Sequence, residues 1–148
     1  MEELSIEITK KEGANLPLYG TEFSSGMDLF AFIDEPVTIR PMERALIPTG
    51  IYMGIPEGYE AEIRPRSGLA YSFGITVLNT PGTIDSDYRG EIKVLLINLG
   101  DKPFVINNGD RIAQIIFKSV VRANLRVVAS LPETSRGKGG FGSTGIRG

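Results

Sequence analysis

Short segments in which apolar and polar residues alternate restrict the fold of this chain more than any other feature. In the first segment, Leu4, Ile6 and Ile8 are separated by Ser5 and Glu7, the period-two pattern of a half-buried strand. Further strand-like segments are Val37–Arg40, Ala45–Pro48, Ile51–Ile55, Glu60–Arg64, Ile75–Leu78, Glu91–Asn98, Phe104–Ile106, Ile112–Phe117 and Val120–Val128. Turn-forming residues separate them, so we predict an all-β sandwich, jelly roll or barrel.

Helical signal is nearly absent from the sequence. One short helix is predicted over Ser67–Phe73, with Ser67 as its N-cap and Gly74 directly after its end. At 148 residues the chain has the size of one domain. We expect that domain to span residues 1–132 and to be followed by an arm of residues 133–148.

Composition excludes several kinds of chemistry. The chain contains no cysteine and no histidine, which rules out disulfides, thiolate catalysis, histidine-based nucleophile systems and the usual zinc sites. A metal ion would need oxygen ligands, which favours Mg²⁺. The net charge of −2 argues against a general nucleic-acid or membrane-surface binder. The acidic start and the short apolar runs lead us to expect a cytoplasmic protein without a signal peptide.

The segment RPRSGLA, residues Arg64–Ala70, combines groups that can bind phosphate. Arg66 offers a bidentate fork, Ser67 a hydroxyl group, and Gly68 a backbone N–H at the start of the predicted helix. The alternative interpretation is an ordinary capped turn with a solvated arginine.

The segment GTIDSDYRGE, residues Gly82–Glu91, contains two aspartates in a predicted turn. Either Asp85 or Asp87 can serve to hold the turn through its side chain. The other carboxylate would be free to orient and deprotonate a water molecule. Tyr88 is predicted to lie in the core or to present a flat surface to a ligand.

Two polar residues interrupt apolar runs elsewhere in the chain. Asp28 lies in GMDLF, residues Gly26–Phe30, and Gln114 lies in GDRIAQIIF, residues Gly109–Phe117. Each is expected to need a buried partner or a function, because unpaired polar groups are rare in protein cores.

The final residues, from Glu133 onward, are rich in glycine and cannot bury enough apolar surface to order themselves. The simpler interpretation is a frayed terminus. However, the segment also carries Arg136, Phe141, Ser143 and Thr144, which together suit a phosphorylated aromatic ligand. The string GKGGFG is neither a dinucleotide-binding fingerprint nor a Walker A loop, since it lacks the strand–helix context and the following Ser or Thr.

Taken together and in order, five segments resemble the motifs of the homotrimeric dUTP pyrophosphatases, or dUTPases. They are GMDLF, RPRSGLA, NTPGTIDSDYRGE, GDRIAQIIF and RGKGGFGSTG, and they extend from Gly26 to Gly145. The one departure is Ser25, where alanine is more usual before the first motif. Each motif alone is weak, whereas all five in order are highly specific.

The resemblance implies a jelly-roll-like homotrimer whose three active sites lie at subunit interfaces. In each site, one subunit would supply the second motif (RPRSGLA) and the fourth motif (GDRIAQIIF). A neighbouring subunit would supply the third motif (NTPGTIDSDYRGE), and the remaining subunit would supply the fifth motif (RGKGGFGSTG). Such enzymes use Mg²⁺ and hydrolyse dUTP to dUMP and pyrophosphate by water attack on the α-phosphorus. This reaction keeps uracil out of DNA and supplies dUMP for dTMP synthesis.

The resemblance also implies a role for each matching residue of the third motif. Asp85 would orient the attacking water, and Tyr88 would pack under the deoxyribose and exclude a 2′-hydroxyl group. The hairpin that reads uracil would consist of Asn79, Gly82, Thr83, Ile84, Asp85 and Lys93.

The other motifs are implied to hold the phosphates, the metal ion and the base. The phosphate contacts would be Arg66, Ser67, Gly68, Gln114 and Arg136, with Gly142, Ser143 and Thr144 at the γ-phosphate. Phe141 would stack on uracil. Asp28 would contact Mg²⁺ only through water, because the ion would be held mainly by the substrate phosphates.

Two alternatives to a dUTPase are compatible with the same fold. A dCTP deaminase would carry a further arginine after the Arg-Ser turn, at the place that Tyr71 occupies here. A non-catalytic trimer that senses nucleotides would have no need of both Asp85 and a full set of phosphate-binding groups.

Overall fold

The computed structural model describes all 148 residues and contains eleven strands and one helix. The strands are β1 (Glu7–Lys10), β2 (Leu18–Tyr19), β3 (Met27–Phe30), β4 (Val37–Ile39), β5 (Arg44–Gly54), β6 (Tyr59–Arg64), β7 (Ile75–Val77), β8 (Gly82–Ile84), β9 (Ile92–Asn98), β10 (Phe104–Ile106) and β11 (Arg111–Ser119). The helix α1 spans Ser67–Phe73. The predicted all-β fold with one short helix is therefore confirmed.

The strands form two larger antiparallel sheets and one small one. The first sheet has the order β1-β5-β9-β7, and the second has the order β2-β3-β11-β6-β8. Strands β10 and β4 form a separate pair. Because the neighbours in each sheet are mostly distant in sequence, the sheets bring remote motifs side by side.

A single apolar core joins the sheets. It contains twenty buried residues, among them Leu29 of β3, Ile63 of β6, Val94 of β9 and Ile115 of β11. In β9 the buried positions Ile92, Val94 and Leu96 alternate with less buried ones, as the sequence predicts. Burial of one face of the central strands fixes their register, since a slip of one residue would turn the apolar side chains to water.

A β-bulge interrupts the pairing of β5 with β9. The register shifts between Pro48 and Ile51, so that Thr49 and Gly50 lie outside the regular ladder. The sequence predicts two strands here, whereas the structure has one long strand, β5, that bends at the bulge. Bulges bend a strand and redirect its neighbours.

The helix has the predicted bounds but a different N-cap. Arg66 occupies the N-cap position, and no side chain caps the helix, so the prediction of Ser67 as the N-cap was wrong. Ser67 is instead the first helical residue, and its hydroxyl group stays available to a ligand. Gly74 ends the helix in the left-handed conformation, with φ of 71°, as expected of a glycine there.

Several predicted strands differ from those observed. The first strand begins at Glu7 rather than at Leu4, and the short strands β2, β3 and β8 were not predicted. The prediction of a strand over Val120–Val128 was wrong, because these residues find no partner strand within the chain.

The last strand ends at Ser119, and residues 120–148 form neither helix nor strand. The boundary at residue 132 between a body and an arm stays a prediction. No helix in the structure combines the length and the apolar character needed to cross a membrane.

Candidate active site

The third motif forms one wall of an open pocket of about 460 Å³. Thr83 and Ile84 from β8, Asp85 and Tyr88 from the following turn, and Lys93 from β9 line this pocket. Its remaining lining residues are Leu46, Glu91 and Ile92. The structure thus brings together most residues of the predicted uracil-reading hairpin, and we call this surface the hairpin pocket.

Asp85 is exposed, and its carboxylate makes no hydrogen bond or ion pair within the chain. The turn is held by the backbone instead, since the Tyr88 N–H donates to the Asp85 carbonyl oxygen at 3.1 Å. The Asp87 carboxylate is likewise without a partner, so neither aspartate holds the turn through its side chain. Asp85 is therefore free to accept a hydrogen bond from water at the pocket.

Tyr88 is half exposed and is not a core residue. Its phenol hydroxyl group donates to the Glu91 carbonyl oxygen at 2.7 Å, which folds the ring back across the turn. A Cβ atom on Gly90 would collide with this ring. Gly90 is therefore required for the observed position of Tyr88, whose side chain lines the pocket.

Asn79 lies just before β8 and packs against Gly82. A Cβ atom at Gly82 would lie 3.2 Å from the Asn79 amide nitrogen and 3.3 Å from Ile63. The glycine lets the loop containing Asn79 approach the sheet closely. Asn79 itself does not line the hairpin pocket.

Asp28 is the centre of a second cluster, in the second sheet. Its carboxylate lies 3.3 Å from Arg66 Nε and 3.6 Å from Arg111 Nε. Arg66 also donates to the Arg111 carbonyl oxygen at 3.4 Å. We call Asp28, Arg66, Arg111 and Gln114 the arginine cluster. Its two guanidinium groups carry one more positive charge than Asp28 neutralises, which suits an anionic ligand.

Gln114 joins this cluster through strand pairing. It lies opposite Asp28 on β3 and opposite Arg64 on β6, and its Nε2 donates to the Pro65 carbonyl oxygen at 3.0 Å. A Cβ atom at Gly26 would lie 2.7 Å from the Gln114 side-chain oxygen. The amide thus fixes the chain just before Arg66, while Ser67 and Gly68 at the start of α1 stay exposed.

The two groups of residues lie at opposite ends of β6. Strand β8 runs antiparallel to β6 with Ile84 opposite Ala61, so the next residue, Asp85, lies level with Glu60 near the start of β6. Arg66 follows the other end of β6. At about 3.3 Å per residue, this places Asp85 and Arg66 roughly 20 Å apart along the strand direction. One chain therefore does not bring both groups to the same phosphate.

The arm of residues 133–148 makes no hydrogen bond to the body. The last hydrogen bond from the C-terminal segment to the body is at Val120, whose N–H donates to the Gly58 carbonyl oxygen. The turns of the arm are internal, and Arg136 Nε donates to the Gly139 carbonyl oxygen at 2.9 Å. Phe141 is fully exposed and has a positive φ of 50°, a backbone conformation that residues other than glycine rarely adopt. Gly142, Ser143 and Thr144 are also exposed, so one chain does not bring the arm to either group of residues.

The chain does not form a metal site from its own side chains alone. No three acidic side chains converge, and both carboxylate oxygens of Asp28 face guanidinium groups. The spare positive charge of the arginine cluster fits a phosphorylated ligand that carries its own metal ion. These residues do not fit an ion held directly by protein ligands.

Three groups have shifted pKa values, each explained by a neighbour. The hydrogen bond from Arg64 lowers the pKa of Glu62, whose carboxylate also lies 3.4 Å from Lys118. A hydrogen bond to Glu91 raises the pKa of Lys11, and one to Glu2 raises the pKa of Tyr59. Of these partners, Glu91 alone lines the hairpin pocket.

Sequence reasoning assigned no role to Arg111 or Glu91. Arg111 reaches Asp28 because β11 pairs with β3, and Glu91 reaches Gly50 across 41 positions of sequence. Both residues lie within motifs identified in the sequence, and this position in a motif was the one sequence feature that could have pointed to a role for them. Their partners depend on the tertiary fold.

Comparison with known proteins gives one consistent family. The dUTPase family model matches residues 12–145. A deoxyuridine 5′-triphosphate nucleotidohydrolase of Treponema denticola is 58% identical over 136 residues, with 92% of this chain and 94% of that protein covered. The protein of the same name from Ehrlichia canis is 55% identical, with 97% of each chain covered.

Solved structures agree with the fold. The dUTPase of Staphylococcus bacteriophage 80alpha in a complex with dUpNHpp has a TM-score of 0.83 and 24% identity, over 96% of this chain and 99% of that one. The dUTPase of phage phi11 of S. aureus, described with a structural Mg(II) ion, has a TM-score of 0.77 and 23% identity, over 86% and 98%. These likenesses support the predicted jelly-roll class, and together with the family model and the close relatives they show that the chain belongs to the dUTPase family.

Proposed function

We propose that this dUTPase hydrolyses dUTP to dUMP and pyrophosphate in composite sites shared between the subunits of a homotrimer. The observation that carries the proposal is the unpartnered Asp85 carboxylate, which lines one pocket together with Tyr88 and Lys93. Relatives more than half identical to this chain bear the name of that activity. The bacteriophage neighbour is described with dUpNHpp, a nucleotide ligand of the same class.

The hairpin pocket would bind the nucleoside. Backbone groups of residues 82–85 and 93, with Asn79 beside them, offer donors and acceptors that match the edge of uracil. A hairpin that closes tightly on the base would leave no room for the methyl group of thymine, and an unpaired polar edge would penalise cytosine by orders of magnitude. The Tyr88 ring would lie under the deoxyribose, where an extra 2′-hydroxyl group collides with it.

The arginine cluster of a neighbouring subunit would bind the phosphates. Arg66 supplies a charged fork, Ser67 and Gly68 supply a hydroxyl group and a backbone N–H, and Gln114 holds the chain before Arg66 in place. The separation of roughly 20 Å within one chain supports this division of labour between subunits.

The arm of residues 133–148, from a further subunit, would close the site. Phe141 would stack on uracil, Arg136 would contact a phosphate, and Gly142, Ser143 and Thr144 would contact the γ-phosphate. Ordering the arm only when nucleotide is bound excludes bulk water at the moment of reaction. The arm's lack of contacts with its own body supports this role.

Exposed apolar residues support the trimer. Val121, Leu125, Val127 and Leu131 are each more than four-fifths exposed in the single chain. Leaving such side chains in water is unfavourable, and contact with another copy of the chain would bury them.

Asp85 would act as the general base. It orients a water molecule for in-line attack on the α-phosphorus and accepts its proton, while pyrophosphate leaves with the phosphate-bound arginines beside it. Mg²⁺ carried by the substrate phosphates, with Asp28 in contact through water, would neutralise charge on the leaving group. No covalent intermediate is involved. The product dUMP would supply dTMP synthesis, and removal of dUTP would keep uracil out of DNA.

A nucleotide panel tests this function directly. We expect pyrophosphate release from dUTP with Mg²⁺, strong loss of release in EDTA, and little release from dTTP, dCTP or UTP. Ammonia release from dCTP would instead assign the chain to the deaminases. An absence of turnover for all four nucleotides would contradict an enzymatic function and favour a nucleotide-sensing trimer.

A further inference from the structure

Glu91 is a largely buried acidic residue at the edge of the hairpin pocket, and the proposed mechanism does not use it. Its side chain is 10% exposed. One carboxylate oxygen accepts the Gly50 N–H at 3.0 Å, and the other lies 3.4 Å from Lys11 Nζ. Glu91 directly precedes β9, at the end of the turn that carries Asp85 and Tyr88.

The partner of Glu91 is the rigid bulge in β5. Thr49 donates its hydroxyl group to the Ile92 carbonyl oxygen at 2.6 Å, and Lys11 donates its N–H to the Gly50 carbonyl oxygen at 2.8 Å. Gly50 has φ of 71°, and a Cβ atom there would lie 2.7 Å from Ala14 and 2.9 Å from Phe32. The bulge is therefore closely packed and anchored on both sides.

Glu91 also touches Tyr88, through its backbone. The Glu91 carbonyl oxygen accepts the Tyr88 phenol hydrogen at 2.7 Å. Glu91 thus forms a hydrogen bond to the bulge through its side chain and a hydrogen bond to Tyr88 through its main chain. Any movement of the Glu91 backbone is transmitted to the Tyr88 ring.

We propose that Glu91 is a positioning residue for sugar selection, because its carboxylate fixes the carbonyl group that holds Tyr88 in place. This inference rests on the proposed role of Tyr88 under the deoxyribose. A ring held in one position excludes a 2′-hydroxyl group, whereas a ring free to tilt admits it. In this role Glu91 acts through Tyr88 and not on the reacting atoms.

The hydrogen bond to Gly50 carries the effect, and the ion pair to Lys11 adds little. Lys11 is half exposed, and exposed ion pairs contribute weakly because water and salt screen them. The raised pKa of Lys11 agrees with a nearby carboxylate at this position. Glu91→Gln keeps an acceptor for the Gly50 N–H, so it should preserve selectivity, whereas Glu91→Ala should not.

The measurement is the ratio of kcat/KM for dUTP to kcat/KM for UTP. We expect Glu91→Ala to lower this ratio about tenfold, the scale of one lost hydrogen bond to a charged group. Glu91→Asp, which withdraws the carboxylate from Gly50, should lower it in the same direction and serves if the alanine variant fails to fold. A loss of folded enzyme alone reduces both rates equally and leaves the ratio unchanged.

Glu62 provides a matched control. It is also a largely buried glutamate with two ion-pair partners, Arg64 and Lys118, but it does not line the hairpin pocket. Glu62→Ala should leave the ratio at its wild-type value. In a Tyr88→Phe background, which lacks the phenol hydroxyl group, Glu91→Ala should cause little further change because both act through one contact.

An unchanged ratio in both Glu91→Ala and Glu91→Asp would overturn the inference, as would full additivity with Tyr88→Phe. These results differ from failure of the proposed function. If the wild-type chain does not hydrolyse dUTP in preference to UTP, the function itself fails. If it does so and the Glu91 variants match it, only the role of Glu91 fails.

Discussion

Asp85→Asn is expected to lower kcat for dUTP by about 10²–10⁴-fold while leaving nucleotide binding nearly intact. Asparagine has the same shape as aspartate and still accepts a hydrogen bond from water, but it does not take up a proton at neutral pH. Asp85 makes no hydrogen bond or ion pair within the chain, so its replacement removes no contact that stabilises the fold. Single-turnover kinetics and calorimetric binding of a non-hydrolysable analogue separate the two effects.

Asp87 supplies the control for this prediction. It lies two residues away in the same turn, is equally exposed and also has no partner. Asp87→Asn should retain kcat within about threefold, the range of surface changes away from reacting atoms. Robust hydrolysis by Asp85→Asn, or a large loss in Asp87→Asn, would assign the base to another residue.

Deletion of residues 135–148 should leave a folded trimer and lower turnover at least about a hundredfold, the scale of losing groups that align and enclose a substrate. The deleted residues contribute nothing to the buried core and make no hydrogen bond to the body. Their proposed contacts form only with nucleotide bound. Thermal unfolding, sedimentation and steady-state kinetics of the truncated chain test the three parts of this prediction.

A shorter deletion, of residues 146–148, is the control. It removes Ile146, Arg147 and Gly148 but keeps Phe141 and the glycine-rich turn. We expect this variant to keep most of the wild-type turnover. Near-normal turnover in the longer deletion would contradict the closing role of the arm.

Local patterns in the sequence predicted the elements whose signal lies within the segment itself and does not depend on pairing with another strand. Strand β10 and helix α1 have the predicted bounds, because a short apolar run between turn residues and a terminal glycine are properties of the segment itself. Strand β8 lies in a segment that the sequence analysis interpreted as a turn, and its existence depends on pairing with β6. The predicted strand over Val120–Val128 has the right residues, but within one chain it has no strand to pair with.

The candidate site divides in the same way. Motifs identified Asp85, Tyr88 and Arg66, since the chemistry of each residue type is visible in sequence. The contacts that arrange them were not visible, because they depend on register between distant strands. Asp28 meets Arg111 through the pairing of β3 with β11, and Glu91 meets Gly50 through the bulge in β5.

The composite site is the central claim, and complementation between two inactive variants tests it. Asp85→Asn disables the hairpin pocket and Arg66→Ala disables the arginine cluster. The two chains carry different affinity tags, are co-expressed, and are purified through both tags to isolate mixed trimers. If each site takes these residues from different subunits, every mixed trimer contains one site with both wild-type side chains.

Mixed trimers are therefore expected to hydrolyse dUTP at about one third of the wild-type rate, while each variant alone is nearly inactive. Doubly tagged trimers of Asp85→Asn alone control for effects of the tags. Activity in the mixed trimers no higher than in the separate variants would contradict the shared site and would place Asp85 and Arg66 of each site in one subunit.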